Sequence, residues 1–159
     1  MTIRIATGGD AAGITELAIA FRNHLQRESP SDADFIDSVG RLLGSPDAEF
    51  FLVGADGRPV GYVLQRYRHS MWASGTEATI EDLFVDPGSR KGGLGKELIQ
   101  FAVDRARARG CRTICLDTNE NNAASQRIYQ GLGFSAFSKR WQGNQVFYRL
   151  GLEERATQE

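Results

Sequence analysis

The apolar residues of this chain recur every second residue in some stretches and every third or fourth in others, and the two kinds of stretch alternate. Short apolar runs bounded by glycine, proline and polar residues predict strands. The predicted strands are Ile3 to Ala6, Phe50 to Gly54, Val60 to Gln65, Thr79 to Val85, the run through Cys115, Ser135 to Lys139 and Val146 to Leu150. The turn-forming segment Ala55 to Pro59 predicts a hairpin between the second and third strands.

Capping residues and apolar faces predict the helices. Asp10 can cap the first helix, and Ser31 begins a capping box before the second. The third follows a glycine-rich loop and stops at Gly110, and the fourth begins at an Asn122 cap and leaves through a left-handed Gly131. The residues expected to face the core are Ile14, Leu17, Ala18, Phe21, Leu25; Phe35, Ile36, Val39, Leu42, Leu43; Leu94, Leu98, Phe101, Ala102, Ala106; Ala124 and Ile128.

The predicted elements follow the order β-α-α-β-β-β-α-β-α-β-β. A length of 159 residues is usual for one domain, and no repeat, linker or low-complexity segment marks a second. We therefore predict a single domain over residues 1–151, followed by a polar tail over residues 152–159.

Charge and hydropathy exclude several classes of partner. The formal net charge is −1 and no polybasic run occurs, so nothing favours a nucleic acid or an anionic membrane surface. No apolar run approaches the roughly 20 residues of a membrane span, and the first four residues do not resemble a signal peptide. These features predict a soluble, cytoplasmic protein.

The two cysteines are expected to be core thiols. Cys111 and Cys115 are four residues apart on a predicted strand, about 13 Å, which is too far for a mutual disulfide. No histidine pair accompanies them, so no metal is expected. A catalytic cysteine would lack a base visible in the sequence, because the only histidines are His24 and His69.

The loop after the fourth strand has the composition of a phosphate cradle. Glycines let the backbone approach an anion, and the helix that follows adds partial positive charge at its N-terminus. The glycines and cations concerned are Gly92, Gly93, Gly95, Arg90, Lys91 and Lys96. The expected ligand therefore carries a diphosphate or several phosphates.

Two common phosphate motifs do not match this loop. A nucleotide-triphosphate loop would need a glycine at Arg90 and a hydroxyl at Glu97. A dinucleotide fingerprint can start at Gly93, but its third glycine falls on Leu98 and the glycines follow the strand too late. A dinucleotide-binding oxidoreductase remains the weaker alternative.

The pattern that fits is R-x-x-G-x-G at Arg90, Gly93 and Gly95, followed by a block from Asn119 to Phe134 that matches N-x-A-x-x-x-x-Y-x-x-x-G-F. Together they resemble the GCN5-related N-acetyltransferase superfamily, over nearly the whole chain. The resemblance implies the α/β fold of that superfamily, in which the fourth and fifth strands are parallel and splay apart. It also implies acetyl-CoA as the cosubstrate, with no metal, and pantetheine threaded between the two strands.

The resemblance assigns particular residues to the coenzyme. Those residues are Leu83, Phe84, Val85, Arg90, Lys91, Gly92, Gly93, Leu94, Gly95, Lys96, Asn122, Ser125 and Tyr129. It further implies that Tyr129 protonates the departing thiolate. By spacing alone, Asn122 and Tyr129 lie two helical turns apart on one stripe, and the residues themselves favour a simple helix cap and a half-buried core aromatic; the resemblance favours the catalytic role for Tyr129.

Glu81 and Asp82 are the candidate bases. An alkylammonium is protonated at neutral pH and has no lone pair, so acetyl transfer to an amine needs a proton acceptor. Adjacent residues of a regular strand point to opposite faces, so we expect the two carboxylates to differ in role. The strand Ile80 to Val85 is similar to that of diamine and polyamine acetyltransferases, which favours Glu81; pairing with an arginine or exposure to solvent is the alternative for each.

The predicted activity is direct acetyl transfer, in a ternary complex, to a primary amine of a small molecule such as a polyamine, a lysine-like amino acid or an aminoglycoside. A protein lysine or N-terminal acceptor is the main rival, and a non-catalytic acyl-CoA sensor is the alternative of another class. Arg66, Arg68 and His69 are unexpected near a pocket for a polycation. They either face solvent or supply a clamp for a substrate carboxylate. Because dimers are common in related families, a homodimer is a candidate assembly.

Overall fold

The computed structural model describes residues 2–55 and 58–153, apart from the side chains at positions 55 and 91. The chain divides into two compact units, residues 1–116 and 117–159. The first contains β1 Thr2–Ile5, α1 Ala11–His24, α2 Asp32–Leu43, β2 Ala48–Ala55, β3 Arg58–Ser70, β4 Gly75–Val85, α3 Leu94–Ala108 and β5 Thr113–Leu116. The second contains α4 Ala123–Gly131, β6 Phe137–Ser138 and β7 Gly143–Asn144. The order of helices and strands is the predicted one.

The first unit is built on a five-stranded sheet in the order β1-β2-β3-β4-β5. All neighbours are antiparallel except β4 and β5, which pair in parallel from Glu77–Thr113 to Ile80–Leu116. Because β5 stops at Leu116, the last five residues of β4 have no strand beside them on that edge, within the part of the chain the structure describes. The predicted parallel pair that separates at one end is confirmed.

An irregularity in β4 lies at the predicted base. Leu64 of β3 pairs with Asp82 and the next residue, Gln65, pairs with Ile80, so Glu81 has no paired residue on β3. An extra residue of this kind is a β-bulge, which interrupts the alternation of side chains along a strand. The expectation that Glu81 and Asp82 point to opposite faces assumed a regular strand, and that assumption is wrong here.

Helices cover both faces of the sheet. Phe50 and Leu52 of β2 belong to one buried cluster with Ile14 and Leu17 of α1. Phe51, between them in the sequence, packs edge-on against Phe101 of α3, with ring centroids 5.1 Å apart. Alternate residues of β2 therefore enter two separate cores, one under α1 and α2 and one under α3, which explains its continuous apolar run.

Two details of the first helices differ from expectation. The Asp10 carboxylate does not cap α1; it accepts a hydrogen bond from the Thr7 backbone N–H at 2.8 Å and pairs with Arg4. Ser31 does cap α2, because its side chain accepts from the backbone N–H of Asp34. Leu25 and Ile36, both predicted to face the core, are 53% and 63% exposed.

The second unit departs most from the predictions. The left-handed residue after α4 is Gly133, with φ of 99°, rather than Gly131, which is the last residue of the helix. Ala124, expected to face the core, is exposed. The predicted strand Val146 to Leu150 is wrong, since β7 lies earlier, at Gly143–Asn144, and pairs only with β6 in a separate two-stranded sheet instead of completing the main one.

Cys111 and Cys115 are half-buried and are not joined in a disulfide; the absence of the disulfide agrees with the prediction. The Cys115 sulfur lies 3.3 Å from the Thr79 hydroxyl on the neighbouring strand, and burial raises the pKa of the Cys111 thiol. Asp56 and Gly57, at the centre of the predicted hairpin turn, lie outside the described residues, as do positions 154–159 of the predicted tail. No helix in the described ranges combines the length and the apolar character needed to cross a membrane.

A polar network fixes α3 against the sheet. Glu49 of β2 accepts from Arg105 of α3 at 2.7 Å and from the Tyr67 hydroxyl of β3 at 2.5 Å, and Arg109 lies 3.4 Å away. Burial alone would raise the pKa of Glu49, but the hydrogen bonds from Arg105 and Tyr67 and the arginine charges outweigh it, so this pKa lies below its usual range. The ionised form of Glu49 therefore stabilises the fold and fixes the position of α3.

We expect Glu49→Gln to lower the free energy of unfolding at pH 7 by about 1–3 kcal/mol, because the half-buried Arg105 and the buried Tyr67 lose a charged acceptor. A carboxylate with a lowered folded-state pKa stabilises above its unfolded pKa and loses that effect as the pH falls through the folded value. The difference from wild type should therefore shrink on acidification, measured by urea unfolding between pH 7 and pH 3. The matched control is Asp104→Asn, which removes an exposed pair with Arg107 and should change stability by less than about 0.5 kcal/mol. A pH-independent difference for Glu49→Gln would contradict the assignment.

Candidate active site

The loop from β4 to α3 is held at both ends. The backbone N–H of Asp86 donates to the Val60 carbonyl at 2.7 Å, and a 3-10 turn over Pro87–Gly92 follows. Gly93 then adopts a left-handed conformation, with φ of 71° and ψ of 20°, and α3 begins at the next residue. The loop thus connects the end of β4 to the N-terminus of a 15-residue helix.

The glycines leave space for a ligand. A Cβ added at Gly93 or Gly95 would meet no atom within 4 Å. Gly95 lies in the first turn of α3, where glycine is roughly 0.5–1 kcal/mol less favourable than alanine, and nothing in the described protein excludes a larger side chain there. Open space over the backbone at a helix N-terminus suits the close approach of a phosphate, and the phosphate site itself stays a prediction.

The cations of the loop are not equivalent. Arg90 donates from Nε to the Val85 carbonyl at 2.9 Å, and its guanidinium lies 5.8 Å from the centre of the Phe84 ring. Arg90 therefore ties the loop back to β4 while keeping its charge at the surface. Lys96 is exposed in the first turn of α3, and the side chain of Lys91 is outside the described residues. The Val85 carbonyl, one of the groups expected to bond pantetheine, already accepts from Arg90.

The other predicted contacts of β4 are backbone groups. The Phe84 side chain is buried and stacks on Phe21 of α1, with centroids 4.9 Å apart and planes 16° apart. Leu83 and Leu94 are half-buried and buried, respectively. Phe84 and Leu94 thus contribute to the core, so these positions can offer a ligand only their main-chain N–H and C=O groups.

Asp82 and Glu81 have different surroundings. Asp82 is half-buried, and the Tyr62 hydroxyl donates to its Oδ2 at 3.1 Å. Burial raises the pKa of Asp82, the Tyr62 hydrogen bond opposes that rise, and the neighbouring charge of Glu81 adds to it. Glu81 is exposed and pairs with Arg66 at 3.4 Å. The alternative of an arginine partner therefore applies to Glu81, the residue favoured from the sequence.

Local carboxylates compensate the basic cluster on β3. Arg66 pairs with Glu81, and Arg68 pairs with Glu77 at 2.8 Å. His69 is exposed. Two of the three basic residues are thus neutralised by carboxylates of the neighbouring strand β4. The sequence suggested that this cluster would repel a cationic substrate, but the paired arginines do not.

The second unit holds the predicted proton donor. Tyr129 of α4 is half-buried, and its ring meets Phe134 edge-on with centroids 6.1 Å apart. Burial raises the pKa of Tyr129, a hydrogen bond with Ser125 opposes the rise, and Asp117 adds to it. The hydroxyl is therefore protonated at neutral pH. The Asn122 side chain accepts from the Ser125 backbone N–H at 3.2 Å, so it acts as the helix cap that spacing alone suggested.

A family model described as the acetyltransferase (GNAT) family matches residues 13–134. The chain belongs to this family. It is 30% identical over 132 residues to the type 1 aminoglycoside N(6')-acetyltransferase of Salmonella typhimurium strain LT2, covering 80% of this chain and 86% of that one. The enzyme of the same name from Stenotrophomonas maltophilia is 27% identical over 160 residues, covering 98% and 96%.

A solved structure extends the similarity to three dimensions. The aminoglycoside N-acetyltransferase AAC(6')-Iy in complex with CoA superposes with a TM-score of 0.75 at 26% identity, covering 94% of this GNAT chain and 93% of the other. The predicted superfamily and fold are confirmed, and the protein is an acetyl-CoA-dependent N-acetyltransferase. These relatives are named for aminoglycosides, whereas the sequence pattern of β4 pointed towards polyamine acetyltransferases.

Sequence reasoning missed Tyr62. It was read only as part of a strand, yet its hydroxyl contacts a candidate base 20 positions along the chain. The signal available in the sequence was a tyrosine within an apolar strand, which needs a partner for its hydroxyl when buried. The identity of that partner depends on the register between β3 and β4.

Proposed function

We propose that this enzyme transfers the acetyl group of acetyl-CoA directly to a primary amine of a small polyamino molecule of the aminoglycoside type. The observation that carries the proposal is the similarity, over 80% or more of the chain, to enzymes named for that reaction. Among the small amines predicted from the sequence, this similarity favours an aminoglycoside over a polyamine or a lysine-like amino acid.

The charges of the site support a cationic acceptor. Asp82 and Glu81 are adjacent at the bulge of β4, four to five residues before the glycine loop begins at Asp86. The arginines nearest them on β3 are already paired with carboxylates. A polycation is attracted to such a surface, whereas a substrate carboxylate would have to displace an existing ion pair to bind Arg66 or Arg68.

The residues divide the reaction between them. The backbone at Gly93 to Gly95, with Arg90 and Lys96, is assigned to the pyrophosphate of the cosubstrate. The amine loses a proton to a carboxylate of β4, its nitrogen lone pair attacks the thioester carbonyl carbon, and the carbon–sulfur bond breaks as the new carbon–nitrogen bond is established. The departing thiolate takes its proton from Tyr129. The second proton of the nitrogen, released as the amide forms, passes through solvent to the tyrosinate and restores the hydroxyl. The products are the N-acetylated amine and free coenzyme A.

The test is release of free coenzyme A thiol with two aminoglycosides that differ only in an amine or a hydroxyl at the 6' position. A polyamine, a lysine analogue and a lysine-containing peptide complete the panel. We expect turnover with the 6'-amine and background release with the 6'-hydroxyl, since the second compound keeps its other amines but has none at the 6' position.

Two results would contradict the proposal. Turnover confined to the polyamine or the peptide would assign the enzyme to another acceptor class. Binding of acetyl-CoA, seen as a rise in Tm, without thiol release from any amine would favour the sensor alternative.

A further inference from the structure

A buried tyrosine hydroxyl is directed at one of the two candidate bases. Tyr62 is 2% exposed, and its hydroxyl donates to Asp82 Oδ2 at 3.1 Å. Its backbone pairs with Phe84, two residues from Asp82, so the contact runs diagonally across the β3–β4 ladder. Burial and the nearby Asp82 charge raise the pKa of Tyr62 above its usual range, so this hydroxyl remains a donor throughout the working pH range.

Asp82 differs from the other half-buried carboxylates of the sheet. Glu49 and Glu77 each pair with arginine. Within the described residues no lysine or arginine forms an ion pair with Asp82, and its neighbour Glu81 takes the nearby Arg66 instead. A half-buried carboxylate without a cation is costly to a fold, and such groups are often kept for chemistry.

We propose that Asp82, not Glu81, accepts the proton of the substrate amine, and that the Tyr62 hydroxyl is the positioning group for its carboxylate. This assignment rests on the proposed function. Tyr62 engages Oδ2, which leaves Oδ1 as the acceptor. In the step, the ammonium N–H bond breaks, the proton moves to Oδ1, and the electron pair stays on the nitrogen, which then attacks the thioester.

The groups around Asp82 act on its proton affinity in opposite directions. Tyr62 on β3 stabilises the ionised form by hydrogen bonding, whereas Glu81 on β4 destabilises it by like charge. Arg66 offsets part of the Glu81 charge. On α1, the titratable ring nearest this strand is His24, which packs against Phe84 with centroids 6.3 Å apart. Removing Tyr62 or Glu81 should therefore shift the pH dependence in opposite senses.

The experiment is the pH profile of kcat/KM for wild type and four variants, with the amine that the wild type acetylates. The ionisation of that amine is common to all variants, so differences report on the enzyme. Tyr62→Phe should move the acid limb to higher pH by about one unit, because the ionised carboxylate loses a donor. Glu81→Gln should move it to lower pH and keep most of the activity. Asp82→Asn, which can still accept from Tyr62, should lower kcat/KM at neutral pH by at least about 10-fold and remove the acid limb.

Tyr67→Phe is the matched control. Tyr67 is another buried tyrosine of β3 whose hydroxyl contacts a carboxylate, but that carboxylate is Glu49. The Tyr67→Phe substitution should leave the acid limb of the pH profile at the wild-type position. Melting temperature and acetyl-CoA affinity, measured for each variant, separate loss of folding from loss of proton transfer.

The outcomes are distinct. Suppose that the wild type is active. The assignment would then be overturned, and the proposed function left standing, if Tyr62→Phe did not move the acid limb. The same conclusion would follow if Glu81→Gln were inactive while Asp82→Asn kept its activity. A wild type that releases no thiol with any amine would overturn both. Opposite shifts of the acid limb in Tyr62→Phe and Glu81→Gln would support the assignment of Asp82 as the base. A merely structural role for Tyr62 would change stability without moving the acid limb.

Discussion

Gly93→Asp is expected to lose at least about 100-fold in affinity for acetyl-CoA while remaining folded, a cost of about 2.7 kcal/mol. The new carboxylate would stand at the N-terminus of α3, where the pyrophosphate is assigned, and would meet it with like charge. Gly93 has a φ of 71° and open space at its Cβ position. Aspartate tolerates this conformation better than most residues, and negative charge at a helix N-terminus is favourable, so the fold should accept it.

Gly110→Asp provides the control at the other end of the same helix. Gly110 also has a positive φ, 79°, with nothing within 4 Å of an added Cβ. It lies about 25 Å from Gly93 at 1.5 Å per residue. The change therefore matches the conformational strain and the charge while leaving the loop untouched. Isothermal titration of acetyl-CoA into both variants should show the loss only in Gly93→Asp; equal affinities would mean that the loop does not hold the coenzyme.

Tyr129→Phe is expected to lower kcat by about 100-fold and to change acetyl-CoA affinity by less than about twofold. The phenyl ring keeps its edge-on contact with Phe134, so only the hydroxyl is removed. Without that proton donor the thiolate must leave unprotonated or take a proton from water. The loss should appear in turnover and not in binding, because the proton is needed only as the carbon–sulfur bond breaks.

The control for this substitution is Tyr148→Phe. Tyr148 belongs to the same unit and is 88% exposed, so loss of its hydroxyl should leave both constants unchanged. Steady-state kinetics combined with direct titration of acetyl-CoA separate the two constants. Wild-type turnover in Tyr129→Phe would remove the proton-donor role from this residue and leave the coenzyme site as assigned.

The second unit shows where hydrophobic pattern alone fails. Val146 to Leu150 is apolar enough to resemble a strand, yet its large side chains are exposed and no strand is present there. A strand needs a partner for its backbone N–H and C=O groups, and periodicity in one segment carries no information about a partner elsewhere. By contrast, Asn122 was correctly placed as a cap because its bond reaches only three residues along the chain.

What the sequence by itself determined is therefore local: the order of helices and strands, the caps of α2 and α4, and the glycine loop at the start of α3. Each follows from side-chain period, capping or glycine conformation within a few residues. Only the tertiary structure decided that Glu81 sits on a bulge paired with Arg66, that Arg90 binds the Val85 carbonyl, and that Tyr62 reaches Asp82. The Glu81 and Asp82 contacts depend on the register of β3 against β4. A shift of one residue in that register would give both carboxylates different partners, and no property of either strand taken alone specifies the register.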